Sequence, residues 1–133
     1  KKSIHWCASC HTALAEAAAR YIPRLGAHPR MLRGNGFLCG HLNEDSNIIA
    51  KGGAAGVYGF GLKAQGLGLA FKVESGSEAA WPCIILALLR GLDALSPQTE
   101  SMLLGLGAGE LRNDNGAVSG EIRPAEALTG RIL

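Results

Sequence analysis

Two neighbouring stretches in the middle of the chain alternate large apolar residues with small ones, and this alternation constrains the fold more than any other feature. The stretches are VYGFGL (57–62) and LGLAFKVE (67–74), and KAQG joins them. Their large apolar residues share one side: Tyr58, Phe60, Leu62, Leu67, Leu69, Phe71 and Val73. A period of two is typical of a β-strand with one buried face, and the short joint indicates a turn. The sequence therefore predicts an antiparallel β-hairpin, whose other face of glycine and alanine lets a helix lie close.

The hairpin is followed by a stretch that predicts a nearly all-apolar helix, residues 75–95. Ser75 and Glu78 have the spacing of a capping box at its start. Pro82 fits if the helix proper begins near Trp81, with the proline in the first turn, or if the helix kinks there.

Four shorter patterns complete the predicted architecture. Residues 12–22 carry a helical apolar stripe, and residues 47–53 read as a strand that ends in a glycine turn. Ser96 and Pro97 fit the first positions of a short helix, and residues 117–122 fit a last strand. Together these patterns predict the α/β (α+β) class, with an antiparallel β-hairpin sheet packed by helices.

Length and composition fit one packed domain, residues 1–133. The chain is 47% hydrophobic and 18% charged, a balance that suits a folded core. Its net charge is +2, and its lysines and arginines are scattered without interleaved aromatics, which argues against a nucleic-acid partner. No run approaches the roughly 18 apolar residues of a membrane-spanning helix. We therefore expect a cytoplasmic protein without a nucleic-acid or membrane partner.

The motif HWCASCH near the start contains C-x-x-C-H, the pattern that attaches haem in c-type cytochromes. Cys7 and Cys10 would form the thioether links, His11 would be the proximal ligand, and Met31 or Met102 could be the second axial ligand. The glycine-rich hairpin argues against this interpretation, because small c-type cytochromes are mostly helical.

Zinc is the other metal that these residues suggest. A tetrahedral site needs four ligands from separated spans, and Cys7 and Cys10 could combine with the C-x-H pair Cys39 and His41. This is not a recognised zinc-finger spacing. Unliganded, packed cysteines remain an alternative.

The stretch AKGGAAG (50–56) places a lysine at the point where a strand runs into consecutive glycines. Lys51 could bring an ammonium, and Gly52 and Gly53 their backbone N–H groups, up to an anionic substrate, as in the K-T-G element of β-lactamases. An ordinary hairpin bend with a solvated lysine is the alternative. The chain contains neither S-x-x-K nor G-x-S-x-G, so it has no recognisable serine nucleophile.

Several of these segments, in this order, resemble the C-terminal half of the bacterial asparaginase II family, the zinc-associated type with a serine β-lactamase-like fold. The segments are AHPRMLRGNG (27–36), NIIAKGGAAGVYGFGLKAQGLGLAFKVESGS (47–77), ILALLRGLDAL (85–95) and GAVSGEIRPA (116–125). The family pattern V-A-K-G-G-A-E-G-V is similar to the sequence around Lys51.

The resemblance implies an amidohydrolase that converts L-asparagine to L-aspartate and ammonia. It implies a catalytic role for Lys51, a substrate-binding role for Gly52, Gly53 and Gly56, and a zinc ligand at Cys7, whose position is similar to that of a family cysteine. The family's serine and lysine nucleophile pair would belong to an N-terminal half absent from this chain, which would then be a partial domain.

Three positions depart from the family pattern. Phe37 stands where an arginine is expected, Gly40 where threonine is common, and Ala55 where the family has glutamate. These departures favour an alternative function, in which the protein is a degenerate, non-catalytic relative that binds a small molecule or partner. A c-type cytochrome, based on Cys7, Cys10 and His11, is the third interpretation. A half-domain would expose a sheet edge, so we expect a homo-oligomer or association with the missing N-terminal portion.

Overall fold

The alternating stretch that begins at Val57 forms the middle strand of a three-stranded antiparallel sheet. The strands are β1 (Ile48–Gly52), β2 (Val57–Leu62) and β3 (Leu67–Lys72), in the order β1-β2-β3. The structure is a computed structural model that describes residues 20–24, 27, 28, 31 and 37–125. The chain divides into two compact units, residues 1–76, which contain this sheet, and residues 77–133.

The two faces of the sheet differ in side-chain size, as the alternation predicts. The register aligns three rows on the apolar face: Ile48–Leu62–Leu67, Ala50–Phe60–Leu69 and Gly52–Tyr58–Phe71. The β1 and β2 members of these rows are buried, and the rings of Tyr58 and Phe71 stack with centroids 5.7 Å apart. The opposite face carries Lys51, Gly59 and Ala70 in one row. One face of the sheet therefore holds the core. The other has glycine or alanine beside Lys51 and also carries Ile49, Val57 and Lys72.

A short helix that the sequence analysis did not predict precedes the sheet. This helix, α1 (Leu38–Leu42), follows Phe37, whose backbone is extended and supplies no side-chain cap. Cys39 and Leu42 are buried, and the helix packs against β1. In the first unit, the sheet is thus packed by a helix beside its first strand.

The second unit begins its regular structure with α2 (Trp81–Gly91). Pro82 lies in the first turn, where a missing N–H costs no helical hydrogen bond. The predicted capping box is wrong, because Ala80 is the N-cap residue and no side chain caps the helix. Trp81, Ile85 and Leu89, spaced by one helical turn, are almost fully buried.

A second helix and a small hairpin complete this unit. The helix α3 (Pro97–Gly105) packs against α2 and has the predicted cap, since Ser96 Oγ accepts a hydrogen bond from the Thr99 N–H at 3.2 Å. Strand β4 (Glu110–Arg112) pairs antiparallel with β5 (Val118–Glu121). The sequence predicts β5, whereas β4 was missed.

These observations confirm the predicted α/β (α+β) class with an antiparallel hairpin sheet. Residues 20–24 are helical, and the rest of the helix expected at 12–22 lies outside the described residues. None of the helices in the described part of the chain has the length and apolar character that a membrane crossing requires. The single domain over 1–133 and the β-lactamase-like fold stay predictions.

Candidate active site

Lys51 lies one residue before the end of β1, on the small face of the sheet. Its cross-strand neighbour is Gly59, and the next residue in the row is Ala70. A Cβ atom at Gly59 would approach nothing closer than a backbone oxygen at 3.7 Å, so the space over this neighbour of Lys51 is open. The ammonium Nζ donates to the carbonyl oxygen of Gly52 at 2.5 Å, and the described residues provide no carboxylate partner for it. Its positive charge is therefore available to an anionic ligand.

Gly52 and Gly53 already use their N–H groups within the chain. The Gly53 N–H donates to the Val57 carbonyl at 2.8 Å, and the Gly52 N–H donates to Cys39 Sγ at 3.1 Å. Donation of these two N–H groups to a substrate, as expected from the sequence, does not fit this geometry. Gly53 is exposed and has no side chain, so it leaves room beside Lys51.

Gly56 has a packing role that explains its residue type. Its φ of 76° lies in the left-handed region, and a Cβ there would come within 2.7 Å of the Val73 carbonyl oxygen and 3.0 Å of Gly76 Cα. The Val73 N–H in turn donates to the Gly56 carbonyl at 2.9 Å. Gly56 thus fixes the backbone where the turn after Lys51 (residues 53–56, called the lysine turn) leads into β2. A direct role of Gly56 in binding substrate stays a prediction.

The outer edge of β1, away from β2, carries backbone groups that a neighbouring strand would normally satisfy. The register and the flanking bond from Lys63 N–H to the Asn47 carbonyl show that Ile48, Ala50 and Gly52 point outward. The Ile48 N–H donates to the Asp45 carbonyl at 3.1 Å. Side chains from α1 and the residue that follows it satisfy the other outward N–H groups.

Asn43 substitutes for a neighbouring strand at Ala50. Its Oδ1 accepts from the Ala50 N–H at 3.1 Å, and its Nδ2 donates to the Ala50 carbonyl at 2.7 Å. The same Nδ2 donates to the Cys39 carbonyl at 2.7 Å, and the residue is only 4% exposed. Because both the oxygen and the nitrogen of the amide form hydrogen bonds, this buried polar side chain is satisfied.

The residues proposed as metal ligands are only partly within the described chain. Cys7, Cys10 and His11 lie outside the described residues, so the haem and zinc patterns stay untested predictions. Among residues that the structure describes, no group of three or more histidine, cysteine or acidic side chains could hold a metal ion. In the C-x-H pair, the Cys39 sulfur accepts the Gly52 N–H, and His41 Nδ1 lies 3.6 Å from a Glu44 carboxylate oxygen.

The second unit contains a cavity of about 290 Å³. Its apolar wall includes Cys83, Leu86, Leu104 and Ile122, and its polar wall includes Arg90, Glu121 and Arg123. The Cys83 thiol lies 3.4 Å from the Ile122 carbonyl oxygen, to which it donates.

The charges at this cavity are paired. Arg123 and Glu121 form an ion pair of 2.7 Å, and the hydrogen bond from Arg123 lowers the pKa of the Glu121 carboxyl. Arg90 pairs with Glu100. Burial, and then the Glu121 carboxylate, raises the pKa of the Cys83 thiol, so this cysteine is held protonated and is a poor nucleophile. We therefore place the candidate active site at Lys51.

Sequence reasoning missed Asn43 and gave Cys39 only a possible metal role. One signal was present, because the two residues have the i, i+4 spacing that places side chains on one helical face. They also lie just before a predicted strand. Nothing local indicates that they bond to the backbone of that strand, since the contacts span 7 and 13 residues.

Comparison with known proteins identifies one matching family. The family model described as L-asparaginase II matches residues 4–124, about nine-tenths of the chain. The matched range includes Cys7, Lys51 and the glycine turn. A search of curated proteins returned no match.

Proposed function

Because this chain belongs to the L-asparaginase II family, we propose that it takes part in hydrolysis of the side-chain amide of L-asparagine to L-aspartate and ammonia. In this reaction water adds to the carbonyl carbon, and the carbon–nitrogen bond of the amide breaks. The observation that supports the proposal is the placement of Lys51, an exposed lysine whose cross-strand neighbours in the sheet are Gly59 and Ala70.

Lys51 would supply positive charge beside the bound substrate. The negative charge is either the α-carboxylate of asparagine or the oxygen that gains charge as the amide is attacked. A fixed cation stabilises such an oxygen best where water is excluded. Gly53 would form the substrate-binding turn by leaving the space beside Lys51 without a side chain, and Gly56 would hold the shape of that turn. Gly52 lies in the buried row of the opposite face and would take part only through its carbonyl, which accepts from the Lys51 ammonium.

The nucleophile is proposed to come from outside this chain. The resemblance implies a serine and lysine pair in an N-terminal half of a β-lactamase-like domain, and this chain would be the C-terminal half. A zinc ion held in part by Cys7 is the cofactor that the resemblance implies. The described residues do not form such a site by themselves, so no step is assigned to the metal.

The open edge of β3 supports association with another strand. Since Val73 bonds to Gly56, the alternation of the ladder turns the backbone groups of Gly68, Ala70 and Lys72 away from β2. These three residues are exposed, and the outward N–H and C=O groups have no hydrogen-bond partner among the described residues. We propose that a strand from the N-terminal portion of the same protein or from a second copy pairs here.

A cytoplasmic location stays a prediction from composition.

A non-catalytic relative is the second candidate, and Ala55 favours it. This residue occupies the lysine turn with a φ of 55°, at the position where the resemblance expects glutamate. A protein that keeps the turn but lacks this acidic group could bind an amide without hydrolysing it.

An ammonia-release assay on the full-length gene product distinguishes the two candidates. Hydrolysis of L-asparagine supports the enzyme, and saturable binding without ammonia release supports the non-catalytic relative. Repeating the assay after treatment with a chelator, with zinc analysis of the same sample, tests the metal. Activity that survives complete zinc removal would overturn a zinc requirement.

A further inference from the structure

In the part of the chain that the structure describes, β1, which carries Lys51, is an edge strand. Side chains of the same chain bond to the backbone groups on its outer edge. Edge strands present unpaired backbone groups, and a strand held on one side only can shift or fray. Here the hydrogen-bonding side chains are those of Cys39 in α1 and of Asn43, its C-cap residue. They bond to the backbone of the two residues that flank Lys51.

The residue before Lys51 is held by Asn43. Two hydrogen bonds join the amide to Ala50, one to its N–H at 3.1 Å and one to its carbonyl at 2.7 Å. A single bond would allow rotation about its axis, whereas the pair fixes the Ala50 backbone as a strand neighbour would. The third bond, to the Cys39 carbonyl at 2.7 Å, orients the amide itself.

The residue after Lys51 is held by Cys39. Its Sγ accepts the Gly52 N–H at 3.1 Å, and the side chain is 1% exposed. Sulfur is a weak acceptor, but a buried N–H without any acceptor would be costly. The thiol therefore has a defined use that does not need a metal or an oxidant.

We propose that Cys39 and Asn43 are positioning residues for Lys51, an inference that rests on the proposed function. Lys51 pairs with Gly59 on one side, and the flanking residues are held by α1 on the other side. The direction in which the lysine side chain leaves the strand is therefore set from both edges. A small error in the position of a charged group can lower a rate by up to about 100-fold without abolishing substrate binding.

The experiment measures kcat and KM for ammonia release from L-asparagine by the full-length protein and its variants. Cys39→Ala removes the acceptor, and Cys39→Ser restores an oxygen acceptor. Cys83→Ala is the matched control, because it removes another buried free thiol from the second unit. Asn43→Leu tests the other flank, and thermal unfolding verifies that each variant is folded at the assay temperature.

We expect Cys39→Ala to lower kcat by about 10-fold to 100-fold with KM within about twofold, and Cys39→Ser to recover most of kcat. Cys83→Ala should leave both constants within about twofold. If folded Cys39→Ala keeps the parent kcat, the positioning role is wrong. If Asn43→Leu does not fold, Cys39→Ala decides alone.

A failure of the proposed function would look different. In that case Lys51→Ala would also leave ammonia release unchanged, or the parent protein would release none. Loss of activity in Lys51→Ala together with parent activity in Cys39→Ala would overturn only the inference.

Discussion

The amide nitrogen of Gly52 lies 3.1 Å from the sulfur of Cys39, a residue 13 positions earlier in the chain. This hydrogen bond ties a five-residue helix to the strand position next to Lys51. The helix is too short to be stable alone, so these tertiary contacts stabilise it. The candidate active site therefore depends on residues that carry no chemistry of their own in the reaction.

Asn43→Leu should destabilise the protein by about 2–4 kcal/mol, because the Ala50 N–H and carbonyl would lose their partners while remaining buried. Urea unfolding followed by circular dichroism measures the change. Asn115→Ala, an exposed position in the second unit, is the control and should cost less than about 0.5 kcal/mol. Equal stability of the two variants would show that the Asn43 bonds contribute nothing.

Gly56→Ala should cost at least about 2 kcal/mol, since the new Cβ combines a positive φ with a 2.7 Å approach to the Val73 oxygen. Gly68→Ala is the matched change on β3, where a Cβ would meet nothing within 4 Å. It should change stability by less than about 0.5 kcal/mol. The contrary result is a Gly56→Ala protein whose urea midpoint matches that of Gly68→Ala.

The hairpin was predictable because its information is local. In β2 and β3 the period-two pattern alone assigns Tyr58 and Phe71 to the same face, and the register confirms that they stack. The N-cap at Ser96 was predictable for the same reason, since the capped N–H belongs to Thr99, three residues later.

The rest could not be read from local patterns. Helix α1 has five residues, too few to show a helical period, and β4 has three exposed ones. The capping box at Ser75 failed because Pro82 sets the start of the helix at Trp81. The roles of Cys39 and Asn43 depend on long-range contacts with backbone groups, which leave no mark in side-chain type.

Ser96→Ala should destabilise the second unit by about 1 kcal/mol, because the Thr99 N–H loses its cap. Ser101→Ala on the exposed side of α3 makes the same chemical change without touching a cap. Thermal unfolding of both variants measures the difference. If Ser101→Ala proves as costly as Ser96→Ala, the capping bond does not explain the loss.

Stability should fall as pH rises above about 9, in part because of Cys83. Burial and Glu121 raise the pKa of this thiol in the folded state above its ordinary value of 9.0. The unfolded chain then loses the proton at lower pH than the folded protein, so the contribution of Cys83 is fully present below that value and is lost above it. In urea unfolding between pH 7 and 10, the stability of the parent relative to Cys83→Ala should decline above pH 9. A difference that does not change with pH contradicts the assignment.

The most direct test of the account is ammonia release from L-asparagine by the full-length protein carrying Lys51→Ala or Lys63→Ala. Both lysines are exposed residues of the same unit, and both donate to a backbone carbonyl, Lys63 to Ser46 at 2.8 Å. We predict that Lys51→Ala lowers kcat/KM by about 100-fold or more, whereas Lys63→Ala stays within about twofold of the parent. Equal activity of the two folded variants would contradict the placement of the active site at Lys51.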